Sequence, residues 1–254
     1  MRFSKAIVRK PGRNIVKAIS SANLGLPVYK KAVKQHAKYV EALVHCGLQV
    51  QVLDPDEKHP DAVFVEDSAL VTGKCAIITR PGVSSRVTET ESMSAVLSPC
   101  FKNLEQIAHP GTIEGGDILM INDHFYIGLS ERTNQEGADQ VTFILERYGY
   151  SSSVIELKEF LHLKTGVSSI GDNILLVSGE LITCKAFEKF RKIIVPETES
   201  YAANCLSING KVIVPSGYPS TVGSIQSLGY DTVELDMSEF RKIDGGLSCL
   251  SLRY

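Results

Sequence analysis

The sequence predicts an α/β fold in which five copies of one strand, hairpin and helix unit repeat around a central channel, closed by strands from the N- and C-terminal ends. Three observations predict it: a degenerate internal repeat, short turns at matching places in four copies, and a fifth copy that only the two termini together can supply. Residues 63–80 read VFVEDSALVTGKCAIITR and residues 112–128 read TIEGGDILMINDHFYIG, each a polar lead-in followed by two apolar runs separated by a turn. Residues 163–177 (LKTGVSSIGDNILLV) and 202–215 (AANCLSINGKVIVP) repeat the plan. The expected turns are Thr72-Gly73, Asn122-Asp123, Gly171-Asp172 and Asn209-Gly210. Asn-Gly suits a two-residue hairpin because both positions accept positive φ.

Helical stretches lie between the hairpins. Val33, Ala37, Val40 and Val44 keep helical spacing ahead of Gly47 and the strand LQVQVL. Ala138, Val141, Leu145 and Tyr148 do so before Gly149 and SSSVIEL, and Val222, Ile225 and Leu228 before Gly229 and YDTVEL. Glycine ends such helices because it enters the left-handed conformation without a steric penalty. The last copy joins IDGGLSCLSLRY at one end to SKAIVRK at the other. Radial repetition leaves few unpaired strand edges. A doubly wound parallel sheet would need long crossover links, whereas these turns specify antiparallel hairpins. One domain over residues 1–254 is expected.

Composition narrows the function. The chain has 254 residues, 43% apolar and 22% charged, enough to bury a substantial core. Its 27 Lys and Arg against 29 Asp and Glu give a net charge of -2, so no broad positive field is available for nucleic acid or an anionic membrane. A small molecule is the expected partner. The start MRFSKAIVRKPG lacks the apolar stretch of a signal peptide and no later run approaches spanning length, so a cytoplasmic protein is expected. Cys46, Cys75, Cys100, Cys184, Cys205 and Cys249 are scattered, with no CxxC or Cys/His pair at zinc-ligand spacing, and neither metal nor cofactor is expected.

If the units are radial, their lead-ins meet near the axis. These carry Glu66 and Asp67, Glu114 and Asp117, His162, Asn204 with Cys205, and Asp244 with Cys249. Buried charges must be paired or solvated, so the pattern suggests a cleft for a cation. A guanidinium is a planar cation that carboxylates hold through parallel charge-assisted hydrogen bonds. Attack on its carbon needs a strong nucleophile, which cysteine supplies, and a histidine can protonate the departing amine and then activate water. Gly245-Gly246 just ahead of Cys249 allows close approach of backbone and ligand; Cys205 is the rival. The structural alternatives are a satisfied histidine at 162 and carboxylates that merely cap turns at Glu66, Asp67, Glu114 and Asp117.

The strings FVED (64–67), PGTIEGGD (110–117), LHLKTG (161–166), YAANC (201–205) and KIDGGLSC (242–249), in order along nearly the whole chain, closely resemble the dimethylarginine dimethylaminohydrolase family in its short bacterial form. That family belongs to the guanidino-group-modifying superfamily, and the resemblance implies a five-fold pseudosymmetric α/β propeller, the pentein fold. It also implies Cys249 as nucleophile, His162 as general acid and base, and Glu114 as the acid that orients His162 or the guanidinium. Asp67, with Glu66 beside it, would hold the guanidinium nitrogens. Asp61 and the backbone of Ile19 and Ile243 would meet the substrate amino group, and Arg86 and Arg132 its carboxylate. Both arginines follow a hairpin, from which flexible arms could reach the channel mouth; the alternative for each is a solvated surface charge. The segment SSANLGLPVYKK resembles the family's mobile flap.

The implied reaction converts dimethylarginine or monomethylarginine to citrulline and an alkylamine through an S-alkylthiouronium on Cys249, in a monomer or homodimer. The alternatives are an arginine deiminase releasing ammonia through the same groups, and a non-catalytic interaction ring of the same fold.

Overall fold

In a computed structural model describing residues 2–171 and 173–254, the apolar runs pair as five three-stranded sheets. Along the chain come β1 (Lys5–Arg9), α1 (Tyr29–His45), β2 (Gln49–Leu53), β3 (Ala69–Val71), β4 (Ala76–Ile78), α2 (Glu89–Leu97) and β5 (Leu104–Gln106). Then follow β6 (Ile118–Ile121), β7 (His124–Leu129), α3 (Gln135–Arg147), β8 (Ser151–Glu156), α4 (Leu163–Gly166), β9 (Val167–Gly171), β10 (Ile174–Val177) and β11 (Arg191–Ile194). The chain ends with β12 (Leu206–Ile208), β13 (Lys211–Pro215), α5 (Pro219–Gln226), β14 (Asp231–Leu235), α6 (Ser238–Arg241) and β15 (Leu252–Arg253).

Each sheet is an antiparallel pair whose second strand takes a third, parallel partner: β3-β4-β5, β6-β7-β8, β9-β10-β11 and β12-β13-β14. The remaining sheet is built from both ends of the chain, with β1 antiparallel to β15 and parallel to β2. Gly47, Gly149 and Gly229 follow their helices at φ 89, 74 and 86, the left-handed stops that the sequence predicts. This mixed α/β architecture of five small sheets is consistent with five-fold pseudosymmetry.

Four local expectations need correction. The first hairpin turn spans Thr72–Cys75, closed by the Thr72 amide on the Cys75 carbonyl at 2.9 Å, because the Thr72 hydroxyl takes the Lys74 and Cys75 amides and holds a wider loop. The third turn lies one residue later than expected, with Gly171 paired to Ile174; Asp172, half of the expected turn, lies outside the described residues. In α1 the buried stripe is Ala32, Gln35, His36, Tyr39, Ala42 and Leu43, while Val33 and Val44 face outward, because the stripe with Tyr39 and Leu43 removes more apolar surface from water. Finally, β10 reaches β11 through 3-10 turns at Gly179–Thr183 and Lys185–Phe187 rather than through an α-helix.

A short turn precedes the first strand of each hairpin: Val65–Ser68, Gly115–Asp117, α4, Glu197–Ala203 and Ser248–Leu250. The 65–68 turn touches the 248–250 and 115–117 turns, and α4 touches the 115–117 and 197–203 turns. Asn204, just after the 197–203 turn, ties α4 to the 248–250 turn, donating to the Lys164 carbonyl (2.9 Å) and the Ser248 hydroxyl (3.0 Å) while its Oδ1 accepts the Ser248 amide at 3.0 Å. Tyr39, fully buried, braces the C-terminal segment from outside by donating to the Leu247 carbonyl at 2.8 Å. Apolar clusters fill the spaces between neighbouring units. No helix among the described residues is long and apolar enough to cross a membrane.

Candidate active site

The turns that precede the hairpins carry the candidate site residues. Glu114, at 0% exposure, has both oxygens engaged: Oε2 meets His162 Nε2 at 2.8 Å, and Oε1 accepts the Gly82 amide at 3.1 Å with Arg132 at 3.6 Å. Glu114 thus contacts the imidazole directly. Burial alone would make His162 less basic, but Asp117, the bond to Glu114 and the charge of Asp67 outweigh it and raise the imidazole to about 9. With Nε2 bound to Glu114, Nδ1 is the nitrogen left to exchange a proton. A β-carbon at position 116 would stand 2.7 Å from Nδ1, so glycine is required there for the imidazole to lie against the backbone.

Asp67 Oδ1 accepts the Gly116 amide at 3.1 Å and Oδ2 pairs with Arg86 at 2.9 Å. Burial opposes its ionisation, yet the Arg86 and His162 charges hold its carboxyl below the usual range. Arg86 forks onto Glu89 as well, and its side chain is only 5% exposed. It is therefore a locked, buried cation and not a flexible arm, because three carboxylates, Asp67, Glu89 and Glu114, fix it in place. Arg132 is more open, at 15%.

Glu66 follows a different course from its neighbour. Its Oε1 pairs with Lys164 at 2.6 Å and Arg253 at 2.9 Å, and its buried Oε2 makes no hydrogen bond among the described residues. Glu66 and Asp67 thus diverge, and only Asp67 joins the wall beside Cys249.

Cys249 follows the close-packed Gly245 and Gly246, where a β-carbon on Gly245 would collide with the Phe64 ring. Its Sγ accepts the Gly246 amide at 3.4 Å. Burial, then the negative charges of Asp67 and Glu66, push the thiol well above its ordinary value, so it rests protonated. The rival Cys205 is raised to about 12 by burial, but it lines a separate cavity of about 430 Å3 together with Glu66, Ser168 and Ser207.

Two cavities meet at Cys249. One, of about 30 Å3, is enclosed by Ile19, Asp61, Phe64, Asp67, Arg86, Arg132, Leu161, His162, Ile243, Asp244, Gly245 and Cys249. It gathers every expected site residue except Glu66 and Glu114, the latter standing one layer behind His162. The other, of about 380 Å3, is reached from the same thiol and imidazole.

Asp244 was singled out as an axial residue but not as a contact of the flap. At φ 57, a left-handed conformation that Asp tolerates, its carboxylate accepts the Ser21 amide at 2.6 Å and the Ser21 hydroxyl at 3.1 Å. Asp61 accepts the Ile19 amide at 3.1 Å, and Ser20 donates to the Lys242 carbonyl at 2.7 Å. Asp244 and the Lys242 carbonyl thus hold Ser20 and Ser21 at the head of the 20–31 segment, whose Ser21, Ala22 and Leu24 line the larger cavity. Motif spacing gave no sign of Asp244 as a latch, because the contact spans the whole chain.

Asp67, Glu114 and His162 offer ligand atoms within 4.8 Å of one another. The two carboxylates are already committed to Arg86, Arg132, Gly82 and Gly116 and the imidazole to Glu114, and two arginines beside the carboxylates oppose a metal cation.

A family model described as N,N dimethylarginine dimethylhydrolase, eukaryotic, matches residues 22–213. The N(G),N(G)-dimethylarginine dimethylaminohydrolase of Pseudomonas aeruginosa is 50% identical over 99% of this chain and 100% of that protein. The protein of the same name from Streptomyces coelicolor is 31% identical, covering 100% of this chain and 98% of its own length. A solved structure of the Pseudomonas aeruginosa protein, a cysteine-to-serine mutant complexed with citrulline, matches with a TM-score of 0.99 at 49% identity over 100% of both chains. The N-terminal domain of a cyanobacterial arginine dihydrolase, 20% identical over 98% of this chain and 97% of its own, matches with a TM-score of 0.89 and shares the fold.

Proposed function

The chain belongs to the dimethylarginine dimethylaminohydrolase family, and from that premise we infer that it hydrolyses Nω,Nω-dimethylarginine and Nω-methylarginine to citrulline and the corresponding amine. It is a hydrolase of a guanidino C–N bond that works through a covalent cysteine intermediate, in keeping with the thiocitrulline adduct formed by a structural relative 50% identical to it. The observation that carries the assignment of groups is that Cys249 and His162 share the walls of two adjoining cavities, one of them fitted with Asp61, Asp67, Arg86 and Arg132.

In this reading Arg86 and Arg132 face the substrate carboxylate, Asp61 with the backbone of Ile19 and Ile243 faces its amino group, and Asp67 holds the guanidinium. Glu66 acts only at a distance, through its charge. The substrate supplies the activation that the resting thiol lacks. A cation about 4 Å from the sulfur is worth about 4 kcal/mol at an effective dielectric of about 20, enough to make loss of the thiol proton about a thousandfold easier. The thiol loses its proton to solvent, the thiolate attacks the guanidinium carbon, and protonated His162 gives its Nδ1 proton to the departing nitrogen, so that the released amine takes up a solvent proton as the ammonium ion. Amine leaves, and an S-alkylthiouronium and a neutral imidazole remain. His162 then takes a proton from water, whose oxygen adds to the same carbon. Collapse returns the thiol, citrulline and an imidazolium. Glu114 keeps the ring oriented and favours its charged form in the first half.

The five units are proposed to close as a propeller, one domain over residues 1–254, because the axial turns touch in succession and the terminal strands share a sheet. The enzyme is proposed to act in the cytoplasm as a monomer or homodimer on a free amino-acid derivative, without nucleic acid, membrane or cofactor. Purified protein is expected to release citrulline and dimethylamine in equal amounts from asymmetric dimethylarginine; citrulline without dimethylamine would refute the reading.

A further inference from the structure

We propose that the cavity of about 380 Å3 beside Cys249 is the chamber for the substituents on the reacting nitrogen and the exit for the amine, so that the enzyme hydrolyses arginines whose Nω-substituent is much larger than methyl. The proposal rests on the hydrolase reading above.

The two cavities share four residues, Leu161, His162, Asp244 and Cys249, and these form the partition between them. On the far side of that partition the small cavity of about 30 Å3 has walls of buried charge, which the reading above commits to the amino acid and the guanidinium. An alkyl group placed there would desolvate Asp67 and Arg86 without replacing a hydrogen bond. The nitrogen that leaves must lie within reach of the His162 imidazole, and that imidazole borders both cavities. The larger cavity touches both the sulfur and the imidazole at that place and falls within the size range of small-molecule pockets.

One part of its wall suits alkyl and aryl groups, and the two rings there are held in place. Phe160 lies in a slot made by two glycines: a β-carbon at Gly179 would stand 2.7 Å from the ring, and one at Gly166 would collide with it. The Tyr201 hydroxyl donates to the Gly245 carbonyl at 2.7 Å, and the Arg241 guanidinium covers its ring at 5.1 Å. Leu24 of the flap and Leu161 complete the apolar surface. The cations at the border are turned to other partners, Lys164 to Glu66 at 2.6 Å and Arg241 to the Tyr218 hydroxyl at 2.9 Å, which leaves the passage open to a departing amine. The reaction balances as before: a substituted guanidinium plus water gives citrulline plus the alkylammonium ion.

The test compares citrulline release from Nω-methyl-, Nω-propyl- and Nω-benzylarginine by the wild type and by Thr165→Trp and Ser200→Trp, which place an indole at two exposed rim positions. The wild type is expected to keep kcat/KM for the two larger substrates within about tenfold of the methyl compound. Each tryptophan is expected to lower the benzyl substrate at least about 20-fold more than the methyl one, since an indole fills much of the chamber. Rejection of propyl- and benzylarginine by about a thousandfold in a wild type that processes methylarginine would overturn the proposal. Equal losses on all substrates in both variants would overturn it as well. No citrulline from methylarginine itself would overturn the hydrolase reading, and this inference with it.

Discussion

Cys205 and Cys249 lie in neighbouring units, each near the turn that leads into a hairpin, Cys249 within the 248–250 turn and Cys205 between the 197–203 turn and β12. Burial raises the proton affinity of both. What separates them is their surroundings. Cys205 faces a cavity lined by Ser168, Ser169 and Ser207, and its own amide is bound to the Ser168 hydroxyl at 3.0 Å. Cys249 faces an imidazole held protonated by three carboxylates, and a pocket whose acids invite the cation that would release its proton. A thiol in this fold becomes a nucleophile through what it shares a wall with, not through its own resting acidity.

The largest expected effect breaks the comparison at its active member. Cys249→Ala is expected to lower kcat by about 10^4 or more with an unchanged circular dichroism spectrum, measured as citrulline release under saturating dimethylarginine. Next comes His162→Gln, expected to cost about 10^2 to 10^4 in kcat.

The same histidine has a stability signature. Its folded pKa of about 9 lies above its ordinary 6.5, so its stabilising contribution is fully present below pH 6.5 and lost as pH rises through 9. Chemical denaturation across that range should show wild-type stability falling relative to His162→Gln, by up to about 3 kcal/mol. A difference that is flat with pH would mean that the imidazole is not held charged.

A subtler intervention crosses from one thiol to the other. Asn204, adjacent to Cys205, binds the turn of Cys249 through both its amide atoms. Asn204→Ala should cost about 1 to 3 kcal/mol of stability and should lower kcat by about tenfold, as the nucleophile's turn loosens. Cys205→Ala is the mildest, expected to cost about 1 kcal/mol and to leave kcat and KM unchanged in steady-state assays. A larger catalytic loss for Cys205→Ala than for Asn204→Ala would reverse the assignment.

Much of the architecture was legible because its signals are local. Asn209-Gly210, at φ 50 and 89, forms the tight turn its dipeptide demands, and glycines after three helices adopt the left-handed stop. The split sheet was legible as well, since only the two termini could complete the repeat. The outward-facing Val33 and Val44 were misread because two apolar stripes compete on α1, and only tertiary packing shows that the Tyr39 stripe wins. In the candidate site, residue types forecast the meeting of Cys249, His162, Glu114 and Asp67. Direction could not be forecast: Glu66 and Asp67 are neighbours on a 3-10 turn and diverge, toward Lys164 and Arg253 in one case and toward Arg86 in the other. Arg86 looked like a surface arm because Asp67 and Glu114, which draw it inside, are 19 and 28 residues away in the chain.

Acid-quenched turnover of dimethylarginine, followed by peptide mapping with mass spectrometry, tests the central claim most directly. The prediction is a transient adduct on the peptide containing Cys249, equal in mass to the substrate less its dimethylamine and stripped by base or by further incubation. An adduct on the Cys205 peptide, or sustained citrulline production with no modified cysteine at any quench time, would contradict it.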